Sequence, residues 1–261
     1  MNLNKTIKEE YDCCNEKTQD ELSLLNTRVS DLLKNYKSYL RICEKGGPST
    51  DINGHERDYG LAKIISRDLE YSSDDITQFC LAFVHNAPSR GPETQQLGLF
   101  ISALINEHYK KNERIKNQSR SESMRNIDPE RTIKSFHDLP HSFNKKELEY
   151  TIITGQEFSS ETFSCLGAYN NGAKINIIGS CGDSLCLRMK TGDVFVRGSA
   201  RNFIGIQMEG GNLTITDDAN VVGTHMSDGK IIVHGKINLI DHGYRKCTGG
   251  EIYEKNYRMY P

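Results

Sequence analysis

Gly192-Asp-Val-Phe-Val-Arg-Gly198 is the clearest copy of a unit that recurs about every 19 residues in the second half of the chain. The copies start at Ala173, Gly192, Gly211 and Gly229, and a further start falls at Gly250. The second and fourth residues after each start are aliphatic and alternate with polar residues, as in a strand with one buried face. A glycine then closes each strand, except that Asp217 stands there in the third copy.

The second part of each copy contains an apolar residue, a small residue and, three positions later, a methionine. These residues are Leu185, Cys186 and Met189, then Ile204, Gly205 and Met208, then Val222, Gly223 and Met226. Strands this short cannot bury a face alone, so copies of equal length must stack about 4.8 Å apart. The repeat therefore predicts a parallel β-helix of about five coils. The unit is too short for a propeller blade and lacks the helical half of a leucine-rich repeat.

Both ends of the repeat region carry further signals. An extra coil is predicted over residues 149–172, with a short insertion after its first strand. Its residues at the apolar, small and methionine positions are Leu166, Gly167 and Asn170. The polar residues that interrupt the columns after the last copy predict a cap, and they are Asp241, His242, Tyr244 and Arg245.

The pattern resembles the GXGXG domain that ends the large subunit of glutamate synthase and that makes up one of the subunits of formylmethanofuran dehydrogenase. Besides residues 192–198, the resemblance rests on Phe203-Ile-Gly-Ile-Gln-Met-Glu-Gly-Gly211 and Gly229-Lys-Ile-Ile-Val-His-Gly235. In that family the domain is a right-handed β-helix that holds enzyme parts together and carries neither flavin nor metal chemistry. The resemblance covers residues 149–257 or thereabouts, and it implies a structural role in a metabolic assembly.

Composition divides the 261 residues into two modules, because 16 of the 22 glycines lie after residue 150. We predict an α+β chain with a helical module over residues 1–118 and the β-helix over residues 148–261. Residues 119–147 contain many charges, serines, Pro129 and Pro140 but little periodicity, which predicts a linker. Neither half is basic enough to suggest nucleic acid as a partner.

The first module shows helical periodicity. Thr18 and Glu21 have the spacing of a capping box, and Gly46-Gly47-Pro48 would end the helix that follows. Its apolar residues alternate steps of three and four, and they are Leu22, Leu25, Val29, Leu32, Tyr36, Tyr39 and Cys43. This seam predicts packing within its own domain, with an intermolecular coiled coil as the alternative. Further helices are predicted over residues 57–71, 74–86 and 92–116.

Two groups of residues are candidate binding sites. Residues 85–95 are dense in hydrogen-bonding groups, and they include His85 and Arg90. Because Arg90 precedes a predicted helix N-terminus, it is a candidate to bind an anion, with a solvated turn as the alternative. Arg188, Gln207 and His225 occupy the same position of three successive copies, just before the methionine. They are predicted to line one strip, either a solvated face or a docking strip.

Residues for catalysis, for a cofactor or for a metal ion are not indicated. The eight cysteines include no CxxC pair, so neither a zinc ribbon nor an iron–sulfur cluster is predicted. Cys181 and Cys186 are predicted to be small core residues. His137 and His141 are four residues apart, but Pro140 disfavours the helix that would align their rings. Scattered thiols and the lack of a long apolar stretch predict a cytoplasmic protein that does not enter a membrane.

These observations predict a non-catalytic structural or interaction protein. Its expected partners are other protein subunits or further copies of the chain, with a small anionic ligand as an additional possibility. The alternative is an enzyme or metabolite-binding protein with a site between the Arg90 loop and a face of the β-helix. A helix over residues 22–43 that drives oligomerisation is a further hypothesis.

Overall fold

The computed structural model describes residues 19–46, 52–84, 92–125, 148–154, 163–240 and 247–260. Within these residues, four helices precede nine strands. The helices are α1 (Gln19–Lys45), α2 (Ile52–Arg67), α3 (Ser73–Val84) and α4 (Pro92–Arg125). The strands are β1 (Glu149–Ile153), β2 (Asn171–Ile178), β3 (Thr191–Arg197), β4 (Glu209–Ile215), β5 (Ala219–Val222), β6 (Asp228–Val233), β7 (Ile237–Ile240), β8 (Glu251–Glu254) and β9 (Tyr257–Tyr260).

The strands form a parallel β-solenoid of about four turns. Its main sheet has seven strands in the order β1-β2-β3-β4-β6-β8-β9, and the described strands are parallel except for the β8–β9 hairpin. Strands β5 and β7 pair in a second, smaller parallel sheet. The prediction of N-terminal helices followed by a parallel β-solenoid is confirmed, whereas the number of turns is slightly lower than the five predicted.

The strands stack in the register that the repeat predicts. Val194 on β3 lies between Ile175 and Leu213 on the neighbouring strands, and Leu213 pairs in turn with Ile231. These four side chains are at most 2% exposed, so they form one continuous internal column. A second column follows two residues along each strand, and it contains Ile177, Val196, Ile215 and Val233.

The methionines pack against the glycines that start later copies. Met189 Cε lies 2.5 Å from the position that a Cβ atom on Gly211 would occupy, and Met226 Cε lies equally close to that of Gly250. Gly211 also has a φ of +83°, which residues with a side chain adopt only at a cost. The close packing and the backbone conformation both explain why glycine starts a copy.

Helices close the first end of the solenoid. Helix α3 packs on β1, where Thr77 Oγ1 donates a hydrogen bond of 2.8 Å to the Thr151 carbonyl oxygen. Phe79 of α3 belongs to the same hydrophobic core as Tyr150 and Ile152 of β1. The helices and the β-solenoid therefore share one core. The division into domains at residues 118 and 147 stays a prediction, although α4 extends to Arg125 and thus into the predicted linker.

The hairpin of β8 and β9 closes the other end. Glu254 stands at the end of the second apolar column, opposite Val233, and its carboxylate accepts the Ile237 N–H at 2.9 Å. The two residues of the hairpin turn, Lys255 and Asn256, both have positive φ, as a tight two-residue turn requires. The predicted cap residues Asp241, His242, Tyr244 and Arg245 lie outside the described residues.

The apolar seam of α1 packs within the chain. Leu32, Tyr36, Tyr39 and Cys43 are buried, and the Tyr36 ring lies 5.3 Å from the ring of Phe100 on α4. Side chains before Thr27 lie outside the described set. Over this part of α1, the predicted seam thus contacts the other helices of the same molecule.

Two helix starts differ from the prediction. Helix α2 begins at Ile52, whereas the prediction began at residue 57. The predicted start was too late because Gly54 and Gly60 lower the helix propensity of that segment. Ser72 caps α3: its hydroxyl accepts the Asp75 N–H, and the Asp75 carboxylate accepts the Ser72 N–H. This reciprocal pair is a capping box, with Asp75 in the expected role of an acidic first-turn residue.

We expect Gly211→Ala to lower the free energy of unfolding by about 3 kcal/mol, because it combines a positive φ with overpacking against Met189. Urea unfolding followed by circular dichroism would measure the change. Gly60→Ala is the matched control, since a Cβ at this helical position meets no atom within 4 Å. That variant should raise stability by about 0.5–1 kcal/mol. Equal effects of the two substitutions would contradict the packing described for Gly211.

Candidate functional site

Four outward side chains form a column at one corner of the solenoid, and we call this column the corner strip. Its residues are Tyr169, Arg188, Gln207 and His225. All four have left-handed backbone conformations, with φ between 49° and 57°. The Arg188 N–H donates to the Ile206 carbonyl and the Gln207 N–H to the Thr224 carbonyl, which holds successive turns in register. The structure thus brings together the three residues predicted for one strip.

Tyr169 was not predicted as a member of the corner strip. It directly precedes Asn170, which occupies the methionine position of the first turn and whose backbone carbonyl accepts the Lys190 N–H. The position of Tyr169 in the extra coil therefore indicates that it belongs to the same column as Arg188. It was not assigned to that column because it is aromatic, whereas the three predicted members are polar.

Helix α2 covers the first half of the corner strip. The Tyr59 ring stacks on the Tyr169 ring with 4.1 Å between centroids and 19° between planes. Glu56 Oε2 lies 3.1 Å from Arg188 Nη1, and Arg188 Nε donates a hydrogen bond of 2.6 Å to Gln207 Oε1. Burial raises the pKa of Tyr169 to about 12, so its hydroxyl stays protonated at neutral pH. Arg188 therefore links α2 to the solenoid.

An apolar layer and helix α4 support this contact. Leu99, Cys165, Ala168, Leu187 and Ile206 form a separate buried cluster at the corner. The Cα atom of Gly98 approaches the solenoid so closely that a Cβ atom would stand 1.6 Å from the Ser164 carbonyl oxygen. Ser102 Oγ donates to the Cys165 carbonyl at 3.1 Å, further along α4. The helices are therefore fixed on this corner by both packing and hydrogen bonds.

The second half of the corner strip extends beyond these contacts with α2. Gln207 is half-buried and His225 is exposed. Phe203, on the same corner, is 40% exposed and also has a positive φ of 58°. We call Phe203, Gln207 and His225 the corner patch. Phe203 begins the turn that contains Gln207, and Gln207 is joined by its N–H to the residue before His225. An aromatic ring, an amide and an imidazole therefore follow the surface that binds α2.

A groove lies on the outer face of the main sheet, and we call it the sheet groove. Its volume is about 300 Å³, and a second cavity of about 130 Å³ adjoins it through the shared residues Lys174 and Asp193. The groove crosses β1 to β4, and α4 borders the second cavity through Tyr109, Glu113 and Lys116. The lining of the groove is Glu149, Lys174, Ile175, Asn176, Asp193, Val194, Phe195, Arg197, Asn212 and Thr214.

The polar side chains of the sheet groove are paired across neighbouring strands. The Asn176 amide donates to the Glu149 carboxylate, whose other oxygen lies 3.5 Å from Lys174 Nζ. Two strands further along, Asn212 Nδ2 donates to Asp193 Oδ1 at 2.8 Å. Each pair therefore holds an amide and a carboxylate together at a defined place on the sheet.

The described cysteines are buried and poorly suited to act as nucleophiles. Burial raises the pKa of the Cys43 and Cys165 thiols to about 12, and it also raises the pKa of the Cys181 and Cys186 thiols. A thiol needs a lowered pKa to react readily at neutral pH. The backbone of Cys181 forms a parallel β-bridge with Ala200 in the next turn. This position is the one expected for a small core residue.

The structure says less about the other predicted residues and sites. His85, Arg90, His137 and His141 lie outside the described residues, so the proposed anion loop stays a prediction. Across the described ranges, no group of three or more His, Cys, Asp or Glu residues is arranged to hold a metal ion. None of the helices in those ranges combines the length and apolar character needed to cross a membrane.

Cys181→Ala should make stability less sensitive to alkaline pH. Burial raises the pKa of this thiol, whereas in the unfolded chain it ionises near pH 8.5. The stability that the protonated thiol contributes is therefore complete below about pH 8.5 and falls above it by about 1.4 kcal/mol per pH unit. The variant should lose this part of the slope in urea unfolding between about pH 9 and 10.5. Ser180→Ala should retain the parental slope, and equal slopes for Cys181→Ala and the parent would contradict the burial of the thiol.

The contact between α2 and the corner strip predicts energetic coupling between Tyr59 and Tyr169. A double-mutant cycle with Tyr59→Leu and Tyr169→Leu should give about 1 kcal/mol of coupling in the free energy of unfolding. A control cycle pairs Tyr59→Leu with Tyr257→Leu, which alters a tyrosine that is 76% exposed at the other end of the solenoid. This control cycle should give no coupling. Coupling that is zero in both cycles would contradict the stacked arrangement.

A scan against models of protein families finds no match for this chain, and searches of curated proteins and of solved structures find none either.

Proposed function

We propose that this chain is a non-catalytic interaction protein whose β-solenoid is a rigid frame and whose corner patch docks a protein partner. One observation carries the proposal: the corner strip already binds a helix. Tyr169 and Arg188 hold α2 through a stacked ring and an ion pair. The same column continues past those contacts with Gln207 and the exposed His225.

The intramolecular contact indicates the chemistry of the partner. Helix α2 contributes an aromatic ring, from Tyr59, and a carboxylate three residues earlier, from Glu56. Phe203 offers an apolar ring to a similar segment, and His225 and Gln207 offer hydrogen-bonding groups. The proposed partner therefore presents a helix with an aromatic and an acidic residue one turn apart. Aromatic residues are enriched at protein interfaces because they bury a large area.

Rigidity of the solenoid favours this role. Side chains of neighbouring turns are hydrogen-bonded along the axis, as when Asn220 Nδ2 donates to Asn202 Oδ1 at 2.6 Å. Asn238 of the following turn donates to Asn220, and Asn202 donates to Asp183 of the preceding turn. A surface that is already ordered loses little conformational entropy on binding.

The resemblance to the GXGXG domain is part of this proposal. It implies that the β-solenoid is right-handed and that it is a scaffold in an assembly like glutamate synthase or formylmethanofuran dehydrogenase. The stacked aliphatic columns and the packing of Met189 on Gly211 support it. Partners would be other proteins of the assembly or further copies of the chain. A cytoplasmic location is proposed as well, supported by the free, buried cysteines of the described residues.

The alternative function stays a hypothesis. An enzyme or metabolite-binding protein would need a site between the Arg90 loop and a face of the solenoid. Arg90 and His85 lie outside the described residues, so no contact of theirs supports such a site. Turnover by the purified chain alone would favour this alternative over the docking proposal.

Quantitative co-purification of the full chain from its native cells tests the proposal. We expect Phe203→Asn combined with His225→Asn to reduce recovery of a specific partner about tenfold, because both side chains would no longer contact it. Asparagine is chosen because it tolerates the left-handed conformation of these positions. His234→Asn, at an exposed histidine outside the corner patch, is the control and should leave recovery unchanged.

Three results would contradict the proposal. The first is recovery of the parent protein as a lone monomer, with its mass measured by light scattering. The second is equal recovery of every partner with the corner variant and with the His234→Asn control. The third is a partner bound through other faces only, which cross-links mapped by mass spectrometry would reveal.

A further inference from the structure

The sheet groove differs in character from the corner patch. It lies on a face of β1 to β4 where side chains, not backbone groups, are presented to a ligand. Strands β2 and β3 are paired on both sides, so their backbone donors and acceptors are already used. A peptide that binds by adding a strand needs a free edge. The groove therefore favours a ligand that is recognised by side chains.

The charges of the groove balance. Lys174 and Arg197 supply two cations, and Glu149 and Asp193 supply two carboxylates. Phosphate-rich polymers bind to surfaces with an excess of cationic side chains. A nucleic acid or a polyphosphate is therefore disfavoured, and an uncharged ligand fits the lining better.

The hydrogen-bonding groups of the groove suit hydroxyl groups. A hydroxyl both donates and accepts hydrogen bonds, and each amide–carboxylate pair offers a donor and an acceptor at one place. One pair is Asn212 with Asp193 and the other is Asn176 with Glu149. Between these pairs stands Phe195, which pairs in register with Asn176 on one side and Thr214 on the other. The Arg197 guanidinium carbon lies over this ring, 6.0 Å from its centroid. The remaining surface of the ring is apolar and of the kind that packs against the C–H face of a sugar ring.

The spacing of the groove suits a polymer of sugar rings. Equivalent side chains recur about every 4.8 Å along the solenoid axis, since that is the distance between paired strands. Four strands therefore give a surface roughly 14 Å long. The ring-to-ring repeat of an extended β-linked hexose chain is close to the strand spacing, so successive rings would meet successive turns.

We propose that the sheet groove binds an extended, uncharged oligosaccharide of β-linked hexoses across β1 to β4. Phe195 packs against one sugar ring, and the Asn212–Asp193 and Asn176–Glu149 pairs bind hydroxyl groups of its neighbours. Tyr109 and Lys116 of α4 border the adjoining cavity at Lys174 and extend the surface. The inference is independent of the docking proposal, because none of the corner-patch residues lines the groove.

Titration of the full chain, followed by amide NMR, tests this inference. The uncharged probes are cellohexaose, β-1,4-mannohexaose and chitohexaose, and hexagalacturonate is the acidic comparison. We expect at least one uncharged probe to bind with a Kd below about 1 mM and to shift amide signals of β2, β3 and β4. Phe195→Ala should weaken that binding about tenfold or more, because the ring surface for the sugar is lost.

Two further variants make the test decisive. Ile232→Ala changes the same outward column one turn beyond the groove lining and should alter the Kd by less than about twofold. Asn212→Ala removes one hydrogen-bonding pair and should also weaken binding, so it replaces Phe195→Ala if that variant is poorly folded. The inference is overturned if no uncharged probe binds at about 10 mM, if only hexagalacturonate binds, or if both groove variants bind as the parent does.

Discussion

Backbone hydrogen bonds between successive turns of the solenoid are the interaction on which the rest of the structure depends. They run not only between strands but also around the corners, where the Gln207 N–H donates to the next turn and the Arg188 N–H donates to Ile206. Because the turns are of nearly equal length, each side chain is placed on its counterpart in the turn before. The internal aliphatic columns, the hydrogen-bonded row of Asn202, Asn220 and Asn238, the corner strip and the sheet groove all follow from that register.

The repeat made this part of the fold predictable, because a fixed period determines which side chains stack whatever their chemistry. The contacts of the helices were not predictable in the same way. The stacking of Tyr59 on Tyr169 and the close approach of Gly98 to Ser164 occur once each and have no period. The role of Glu254 as a cap was not predicted either. In the sequence it is one polar residue among several, and only strand pairing places it at the end of an apolar column.

The candidate sites show the same contrast. The common position of Arg188, Gln207 and His225 could be read from the sequence, but the pairing of Arg188 with Glu56 could not. That pairing divides the strip into a half that binds α2 and a half that ends at the exposed His225, where we propose that a partner docks. The sheet groove was not predicted, because its outward lining residues other than Phe195 are the polar members of each alternating strand, and these resemble an ordinary solvated face until α4 is placed beside them.

The position of Glu254 also limits how such a chain can change in length during evolution. Between the starts at Gly192 and Gly211, one whole turn could be duplicated or deleted, and every remaining side chain would keep its counterpart. A one-residue insertion within a strand would exchange inward and outward residues for the rest of that strand. Beyond Glu254 no turn can be added without burying its carboxylate, which costs several kcal/mol. Growth is therefore confined to the interior of the array, in steps of one turn, while both ends stay fixed.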